Sequence, residues 1–210
     1  MAEKDKGIEQ EPHRTKLSVA MMATHRHLDE WQRQILLVHD KKTDKWGPPS
    51  GGGEIINGVS ELPHETLLRE WHEETTLPFD FQDRVRFLEV IVSSQKNKTS
   101  VGFIYQAELK KETVARLNDP LHVTTDEDVD LVQLFDFFQI KAMLENWQNT
   151  IKIPEINTIN LINWCNEIRS TASGPYSDFK YEPFTPEDFG IDFKTQSVNR
   201  LVWDIQFDSE

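Results

Sequence analysis

The stretch LLREWHEETT, residues 67–76, carries three glutamates on one short segment whose apolar residues recur at helical spacing. Glu70, Glu73 and Glu74 stand at positions i, i+3 and i+4, which share one face of an α-helix. Like charges at these spacings repel each other by about 0.2–0.5 kcal/mol per pair. The pattern therefore indicates either a solvated acidic face or a site that uses the carboxylates.

The acidic residues around this stretch lack the lysines that usually accompany glutamate on a solvated helix. Between positions 61 and 80 the acidic residues are Glu61, Glu65, Glu70, Glu73, Glu74 and Asp80, against a single arginine, Arg69. Carboxylates beside a glycine-rich loop are the oxygen ligands that a hard divalent cation prefers. A bound cation would also remove the repulsion, so the sequence favours a metal site over a solvated face.

The hydrophobic pattern outside this helix predicts a mixed α+β sandwich with a sheet in the middle, a fold class of the α/β/α type. Six strands are predicted, over residues 16–25, 33–40, 84–94, 99–109, 128–137 and 200–207. The segment 41–61 is dense in Gly and Pro and is predicted to be a long loop.

Three helices are predicted, over residues 62–75, 138–147 and 155–168. Ser60 is the expected N-cap of the first, and Pro63 falls in its first turn, where the missing N–H costs little. Its apolar residues lie opposite the glutamates, so the carboxylates are expected to point away from the main core. The expected domain organisation is a flexible arm over 1–15, a folded domain over 16–150, and a C-terminal helix and aromatic-rich extension over 151–210 packed on it.

The chain has 36 acidic and 23 basic residues and a formal charge of −13. Such a surface repels nucleic-acid phosphates, so a general nucleic-acid partner is not expected. A phosphorylated small molecule remains a candidate if a cation reverses the local field. No apolar run approaches the ~18 residues that span a bilayer, so no membrane association is expected. The single cysteine, Cys165, excludes an intramolecular disulfide and indicates a reducing compartment, here the cytoplasm. It is predicted to be a buried thiol on a helix.

Residues 69–77, REWHEETTL, resemble the centre of the Nudix box, G-x5-E-x7-R-E-U-x-E-E-x-G-U, where U is apolar. The positions that match R, E, U, E, E and U are Arg69, Glu70, Trp71, Glu73, Glu74 and Leu77. Glu61 falls on the first E with its spacing intact, and WGPPSGGGE, residues 46–54, is similar to the loop that enters the box.

The chain departs from the Nudix pattern at two glycines. Ile55 stands where the first glycine is expected, and the nearest glycine upstream of it is Gly53, so the loop is longer than the pattern. Thr76 replaces the glycine that ends the helix. Because a β-branched residue is costly in the left-handed conformation, the helix is expected to run on slightly or to end differently. Neither change removes a carboxylate.

The resemblance implies a divalent-metal-dependent hydrolase that cleaves the diphosphate linkage of a nucleoside diphosphate joined to another group. Such enzymes use Mg²⁺ or Mn²⁺. By position in the box, Glu70 and Glu74 correspond to the principal metal ligands and Glu73 to an additional one. Arg69 is expected to hold a glutamate, Glu61, rather than to touch substrate.

The catalytic base and the substrate contacts stay open at this point. The base is Glu70 or an acid from the loop at 124–130, either Glu127 or Asp128, although a solvated loop explains that stretch equally well. The expected substrate contacts are Trp46, Gly51, Gly52 and Gly53, with Trp46 either stacking on a base or packing the loop. ADP-ribose, a nucleotide sugar and a nucleotide are the candidate substrates.

Three alternatives to the hydrolase remain. One is a catalytically inactive Nudix-fold module that binds or senses a ligand, motivated by the enlarged loop and Thr76. Another is an isomerase of prenyl diphosphates on the same scaffold, which would need a cysteine near the cleft. The third is an acidic helix in an unrelated fold. A homodimer is possible in any of these cases.

Overall fold

The computed structural model describes residues 14–26, 32–56, 59–95, 98–117, 127–152, 155–171, 183–185 and 188. Residues 1–13 of the predicted arm, the predicted strand 200–207 and most of the predicted extension lie outside these residues.

Nine strands and five helices make up the described part of the chain. The strands are β1 (Arg14–His25), β2 (Gln34–Asp40), β3 (Lys45–Gly47), β4 (Ser50–Gly52), β5 (Ile55–Ile56), β6 (Val59–Ser60), β7 (Arg86–Gln95), β8 (Lys98–Glu108) and β9 (Val129–Asp136). The helices are α1 (Pro63–Thr75), α2 (Lys111–Leu117), α3 (Phe137–Glu145), α4 (Trp147–Thr150) and α5 (Glu155–Thr171).

A seven-stranded mixed sheet forms the centre of the fold, in the order β3-β2-β1-β8-β7, with β4 paired to β1 and β9 paired to β2. The pair β1–β8 is parallel, and the other pairs of the sheet are antiparallel. β5 and β6 form a separate antiparallel ribbon immediately before α1. This layout confirms the predicted α+β fold, and it brings the glycines of β4 beside the central strand β1.

Alternate residues of β1 supply the hydrophobic cores on the two faces of the sheet, because successive side chains of a strand point to opposite sides. Val19 and Met21 pack in one core with Trp71 of α1. Ala20 and Met22 pack in the other core with residues of α3 and α5. The sheet is therefore enclosed between α1 on one face and the C-terminal helices on the other.

Two local predictions were wrong for physical reasons. Segment 41–61 contains the four short strands β3 to β6 rather than an unbroken loop, because β3 pairs with β2, β4 pairs with β1, and β5 pairs with β6. Helix α2 was not predicted at all, since it is short and its one buried residue is Thr113.

Cys165 lies fully buried on α5, as predicted. Burial raises the pKa of its thiol well above the usual range, which keeps it protonated and unreactive. A buried, protonated thiol of this kind does not supply the cleft cysteine that the isomerase alternative requires.

Within the described ranges, no helix combines the length and the apolar character that crossing a membrane would require.

Candidate functional site

The N-cap of helix α1 is Leu62, not the predicted cap Ser60, which lies in β6. Leu62 offers no side-chain acceptor, so Glu65 reaches back and its carboxylate accepts the Leu62 N–H at 2.8 Å. Pro63 occupies the first helical position, as predicted. The start of the helix is thus fixed by Glu65 and Pro63.

Helix α1 is followed by its C-cap Thr76, which adopts the left-handed conformation with φ 54° and ψ 9°. Its N–H donates to the carbonyl of His72 at 3.1 Å, and its hydroxyl donates to the carbonyl of Thr75 at 2.7 Å. The expectation that the helix would run on or end differently was wrong, because Thr76 takes the conformation that glycine would take.

Arg69 lies at the centre of the box residues. Its Nε and Nη2 donate to the two carboxylate oxygens of Glu61 at 3.2 and 3.1 Å, and Nη2 also donates to the carbonyl of Gly52 at 2.9 Å. The predicted pairing of Arg69 with Glu61 is therefore present. These contacts connect α1 to strand β4 and to Glu61, which lies just before the N-cap of the helix.

The Glu61 carboxylate is buried and accepts further hydrogen bonds from the Glu54 N–H at 3.1 Å and the Thr66 hydroxyl at 3.0 Å. The hydrogen bond from Arg69 lowers the pKa of Glu61, outweighing burial, which would raise it. The same hydrogen bond raises the pKa of Arg69. Glu61 is therefore a buried, fully hydrogen-bonded anion that fixes the position of Arg69.

Arg69 also contacts two of the three clustered glutamates. Its Nη1 lies 2.8 Å from Oε1 of Glu70 and 2.9 Å from Oε2 of Glu73. The positive guanidinium thereby reduces the repulsion that the i, i+3 spacing creates. Glu73 is half exposed, whereas the side chain of Glu70 is mostly covered.

The carboxylate of Glu70 lies directly over Gly51 of β4. A Cβ atom on Gly51 would come within 1.9 Å of both Cδ and Oε1 of Glu70. At Gly52 the nearest atom to such a Cβ is 3.6 Å away, on Lys16. Gly51 is therefore the glycine whose missing side chain makes room for a box carboxylate.

Glu74 is buried, contrary to the prediction that the carboxylates point away from the core. Its Oε2 accepts the backbone N–H of Ser50 at 2.7 Å, and its Oε1 lies 3.8 Å from Nζ of Lys152. The burial follows from the closeness of β4, whose backbone and neighbouring cation replace the water that a carboxylate would otherwise need.

Lys152 and Asp40 extend the charged cluster and were not predicted. Nζ of Lys152 lies 2.9 Å from Oδ2 of the buried Asp40, whose Oδ1 accepts the Thr43 N–H at 2.9 Å. Burial alone would raise the pKa of Asp40, but the hydrogen bonds from Lys152 and Thr43 outweigh it and lower the pKa to about 2. Lys152 therefore lies between two buried carboxylates, Asp40 and Glu74.

Trp46 packs within the fold. Its ring lies 4.7 Å from that of Phe135 and 4.9 Å from that of His39, measured between ring centroids. Its carbonyl accepts the Lys152 N–H at 2.7 Å. Of the two alternatives for Trp46, these contacts favour packing of the loop.

The two alternative base candidates lie at the end of β2 that carries Asp40. Nζ of Lys42 lies 2.5 Å from Oδ2 of Asp128, and Nζ of Lys41 donates to the backbone carbonyl of Glu127 at 3.0 Å. These contacts are with the turn after β2, and a catalytic role for either residue remains a prediction.

The donor set matches a hard divalent cation in its chemistry. Three carboxylates, those of Glu70, Glu73 and Glu74, and the carbonyl of Gly52 are brought to the β4 edge of α1. Oxygen donors of these two kinds are what magnesium and manganese prefer. Within the described part of the chain no three acidic, histidine or cysteine side chains converge as a formed metal site. Arg69 contacts Glu70 and Glu73, and Lys152 lies 3.8 Å from Glu74.

A family model described as the NUDIX domain matches residues 17–152, which is more than half of the chain. No curated protein sequence that was compared with the chain matches it.

Several solved structures are similar to this one at low sequence identity. A NUDIX hydrolase from Nitrosomonas europaea has a TM-score of 0.49 and 17% identity, over 82% of this chain and 100% of the other. The NUDIX domain of Shewanella oneidensis NrtR, complexed with ADP ribose, has a TM-score of 0.47 and 19% identity, over 73% of this chain and 88% of the other. A C. elegans Ap4A hydrolase has a TM-score of 0.44 and 15% identity, over 74% of this chain and 98% of the other.

Proposed function

We propose that this chain, which belongs to the NUDIX family, cleaves the diphosphate linkage of a nucleoside diphosphate joined to another group and requires a divalent cation to do so. The family match confirms the predicted membership and the predicted class, a Nudix-type hydrolase. ADP-ribose, a nucleotide sugar and a nucleotide are the substrates proposed for it.

The observation that carries the proposal is the seating of the Glu70 carboxylate in the space over Gly51. This contact joins the acidic face of α1 to the glycine strand, where Gly52 also offers a carbonyl oxygen. If the glutamates of α1 were only exposed to solvent, none of them would be expected to pack against a glycine backbone.

Glu70, Glu73 and Glu74 are the proposed ligands of Mg²⁺ or Mn²⁺. When bound, such a cation supplies positive charge to the bridging phosphate oxygens and lowers the pKa of a water molecule. The chain has a formal charge of −13, so positive charge at this edge is also what a diphosphate needs in order to approach.

The protein residues divide into ligands and supports. Arg69 holds Glu61 through Nε and Nη2, so its proposed role is to fix the position of α1 against β4 rather than to touch the phosphates. Glu70 is the proposed general base because of its place over the glycine strand, with Glu127 and Asp128 as the alternatives. Gly51, Gly52 and Gly53 are proposed to approach the diphosphate through their backbone.

The substrate class is tested by measuring phosphate or nucleotide release from a panel of diphosphate-linked compounds. The panel contains ADP-ribose, nucleotide sugars, dinucleotides, nucleoside triphosphates and a prenyl diphosphate, each with Mg²⁺, with Mn²⁺ and with chelator. We expect cleavage of at least one nucleoside diphosphate derivative that stops in chelator.

Two variants control the substrate panel. Glu74→Gln removes one charge from the proposed ligands, and Glu112→Gln removes one from the exposed first turn of α2. We expect Glu74→Gln to lower turnover about 100-fold or more and Glu112→Gln to leave it unchanged. No cleavage of any compound, together with detectable calorimetric binding of metal and ligand, would instead support the inactive sensing module.

A further inference from the structure

We propose that the chain has a second small-molecule site, on the α5 face of the sheet, that binds a phosphorylated molecule with hydrogen-bond acceptors on an organic ring. The site consists of two adjoining cavities, which we call the asparagine chamber and the arginine cavity. None of the box glutamates lines either of them. The inference therefore does not depend on the proposed hydrolase activity.

The asparagine chamber lies between α5 and strands β1, β7 and β8, and has a volume of about 580 Å³. Its apolar walls include Met22 and Leu88. From α5 it is lined by Asn160, Asn163 and Trp164. Sites for small molecules commonly have ~300–1,000 Å³ and combine apolar walls with a few placed polar groups. The chamber therefore has the size and composition of a ligand site.

Two nearly fully buried side chains of the chamber carry hydrogen-bond donors that have no acceptor in the described part of the chain. Asn160 and Trp164 are each 3% exposed, and neither Nδ2 of Asn160 nor Nε1 of Trp164 makes a hydrogen bond there. Buried donors are almost always satisfied, because leaving one without a partner destabilises the fold. A ligand that brings acceptors into the chamber would satisfy both.

The arginine cavity adjoins the chamber, since Gln106 and Glu167 line both. Its volume is about 160 Å³, and the four arginines that line it are Arg26, Arg33, Arg84 and Arg86. Guanidinium groups recognise phosphate with paired, charge-assisted hydrogen bonds. Four arginines around one small cavity are unexpected on a chain of charge −13, and they indicate an anionic ligand group at this end.

Three carboxylates also line the arginine cavity, and they neutralise only part of its charge. Arg33 lies 3.1 Å from Glu167, and Arg26 lies 3.9 Å from Glu108. Arg84 and Arg86 are exposed and make no ion pair within the described ranges. These two arginines are therefore the ones assigned to the phosphate.

The strand geometry separates this site from the glutamates. β4 pairs with β1 at residues 18–20, whereas the arginine cavity is lined by Thr24, four residues further along β1 from Ala20. That spacing corresponds to about 13 Å at ~3.3 Å per residue. Met22 also belongs to the core on the α3 and α5 side, opposite α1. A ligand in the chamber thus leaves the proposed catalytic edge open.

The test is isothermal titration calorimetry of the full chain with adenosine 5′-monophosphate as the probe, in excess chelator. Chelator removes divalent cations, so the negatively charged carboxylates of Glu70, Glu73 and Glu74 repel the phosphate. We expect saturable binding that weakens at least tenfold in the double variant Arg84→Ala/Arg86→Ala. Arg116→Ala on α2 is the matched control. Glu70→Gln tests whether the probe binds at the proposed catalytic site instead of in the two cavities. Both should bind the probe as the wild type does.

Asn160→Leu separates a ligand contact from a structural role. If the Asn160 amide serves to bind a ligand, removing its unsatisfied donor should raise the melting temperature of the free protein by about 2–4 °C. The same substitution should weaken binding of the probe at least tenfold. Lack of binding by the wild type would overturn the proposal. Full affinity in the arginine double variant or in Asn160→Leu would overturn it as well, as would loss of affinity in Glu70→Gln.

Discussion

Arg69 donates to both carboxylate oxygens of the buried Glu61, through Nε at 3.2 Å and Nη2 at 3.1 Å. Nη2 also donates to the Gly52 carbonyl. One guanidinium therefore joins the start of α1, its middle turn and strand β4. The positions of the box residues therefore depend on the contacts of Arg69 with Glu61 and Gly52, and not on helix α1 alone.

Replacement of Arg69 with Met should destabilise the fold by about 3 kcal/mol, because breaking a buried ion pair leaves an uncompensated charge. Urea denaturation measures the free energy of unfolding. Arg116→Met, at a residue exposed on α2, serves as the control and should change it by less than about 0.5 kcal/mol. Equal stability of the two variants would contradict the role assigned to Arg69.

Gly51→Ala should weaken Mn²⁺ binding by tenfold or more with little loss of stability. The new Cβ would overlap the Glu70 carboxylate, which is the far end of a flexible side chain and can move away. Gly52→Ala is the matched control, since its Cβ would meet nothing closer than 3.6 Å. Calorimetric titration of both variants with Mn²⁺ checks the prediction, and the same affinity in both would refute it.

Thr76→Gly should stabilise the protein by about 0.5–1 kcal/mol, because glycine adopts positive φ without the steric cost that Thr76 bears at φ 54°. Thr76→Ala should bring no such gain, since alanine keeps the Cβ atom. Thermal unfolding of the two variants at the same pH compares them. A lower stability for Thr76→Gly than for Thr76→Ala would contradict the steric cost assigned to the Cβ atom in the left-handed conformation.

The stability of the wild type should fall relative to Asp40→Asn as the pH drops from 5 to 2. The pKa of Asp40 is lowered from 3.8 to about 2 in the folded chain. A lowered carboxyl pKa stabilises the fold above the unfolded-state value, and this contribution is lost as the pH falls towards the folded-state value. The expected loss is about 2 kcal/mol, at about 1.4 kcal/mol per pKa unit. Urea denaturation of both proteins at several pH values gives this difference, and a constant difference would contradict the Lys152–Asp40 pairing.

Cys165 should not react with a thiol reagent such as DTNB while the chain is folded, because burial raises the pKa of its thiol and excludes the reagent. Full reaction is expected in denaturing urea. Rapid reaction of the native protein would place the cysteine in an accessible cleft and would reopen the isomerase alternative.

The sequence identified the elements whose signals are local. The repeated apolar positions and Pro63 located α1 to within a residue, and the resemblance to the Nudix box implied the pairing of Arg69 with Glu61 that the structure contains. The N-cap was predicted at the wrong residue because the hydrogen-bond acceptor at the start of the helix is the carboxylate of Glu65, inside the helix, and not the hydroxyl of Ser60.

The remaining features depend on which strands meet in space. Lys152 lies 78 residues after Glu74 in sequence, and only the sheet topology brings it between Glu74 and Asp40. The burial of Glu74 likewise results from its contact with Ser50 on β4, and β4 forms because β1 is available to pair with it. No periodicity within the sequence carries this information.

The most direct test of the central claim is the initial rate of cleavage of the best panel substrate against Mg²⁺ concentration, for the wild type and Glu70→Gln. We predict a rate that rises to saturation with Mg²⁺, disappears in chelator, and falls about 100-fold or more in Glu70→Gln at every Mg²⁺ concentration. A rate that is independent of the cation, or that Glu70→Gln leaves unchanged, would contradict the assignment of the acidic face of α1 as a metal-dependent catalytic site.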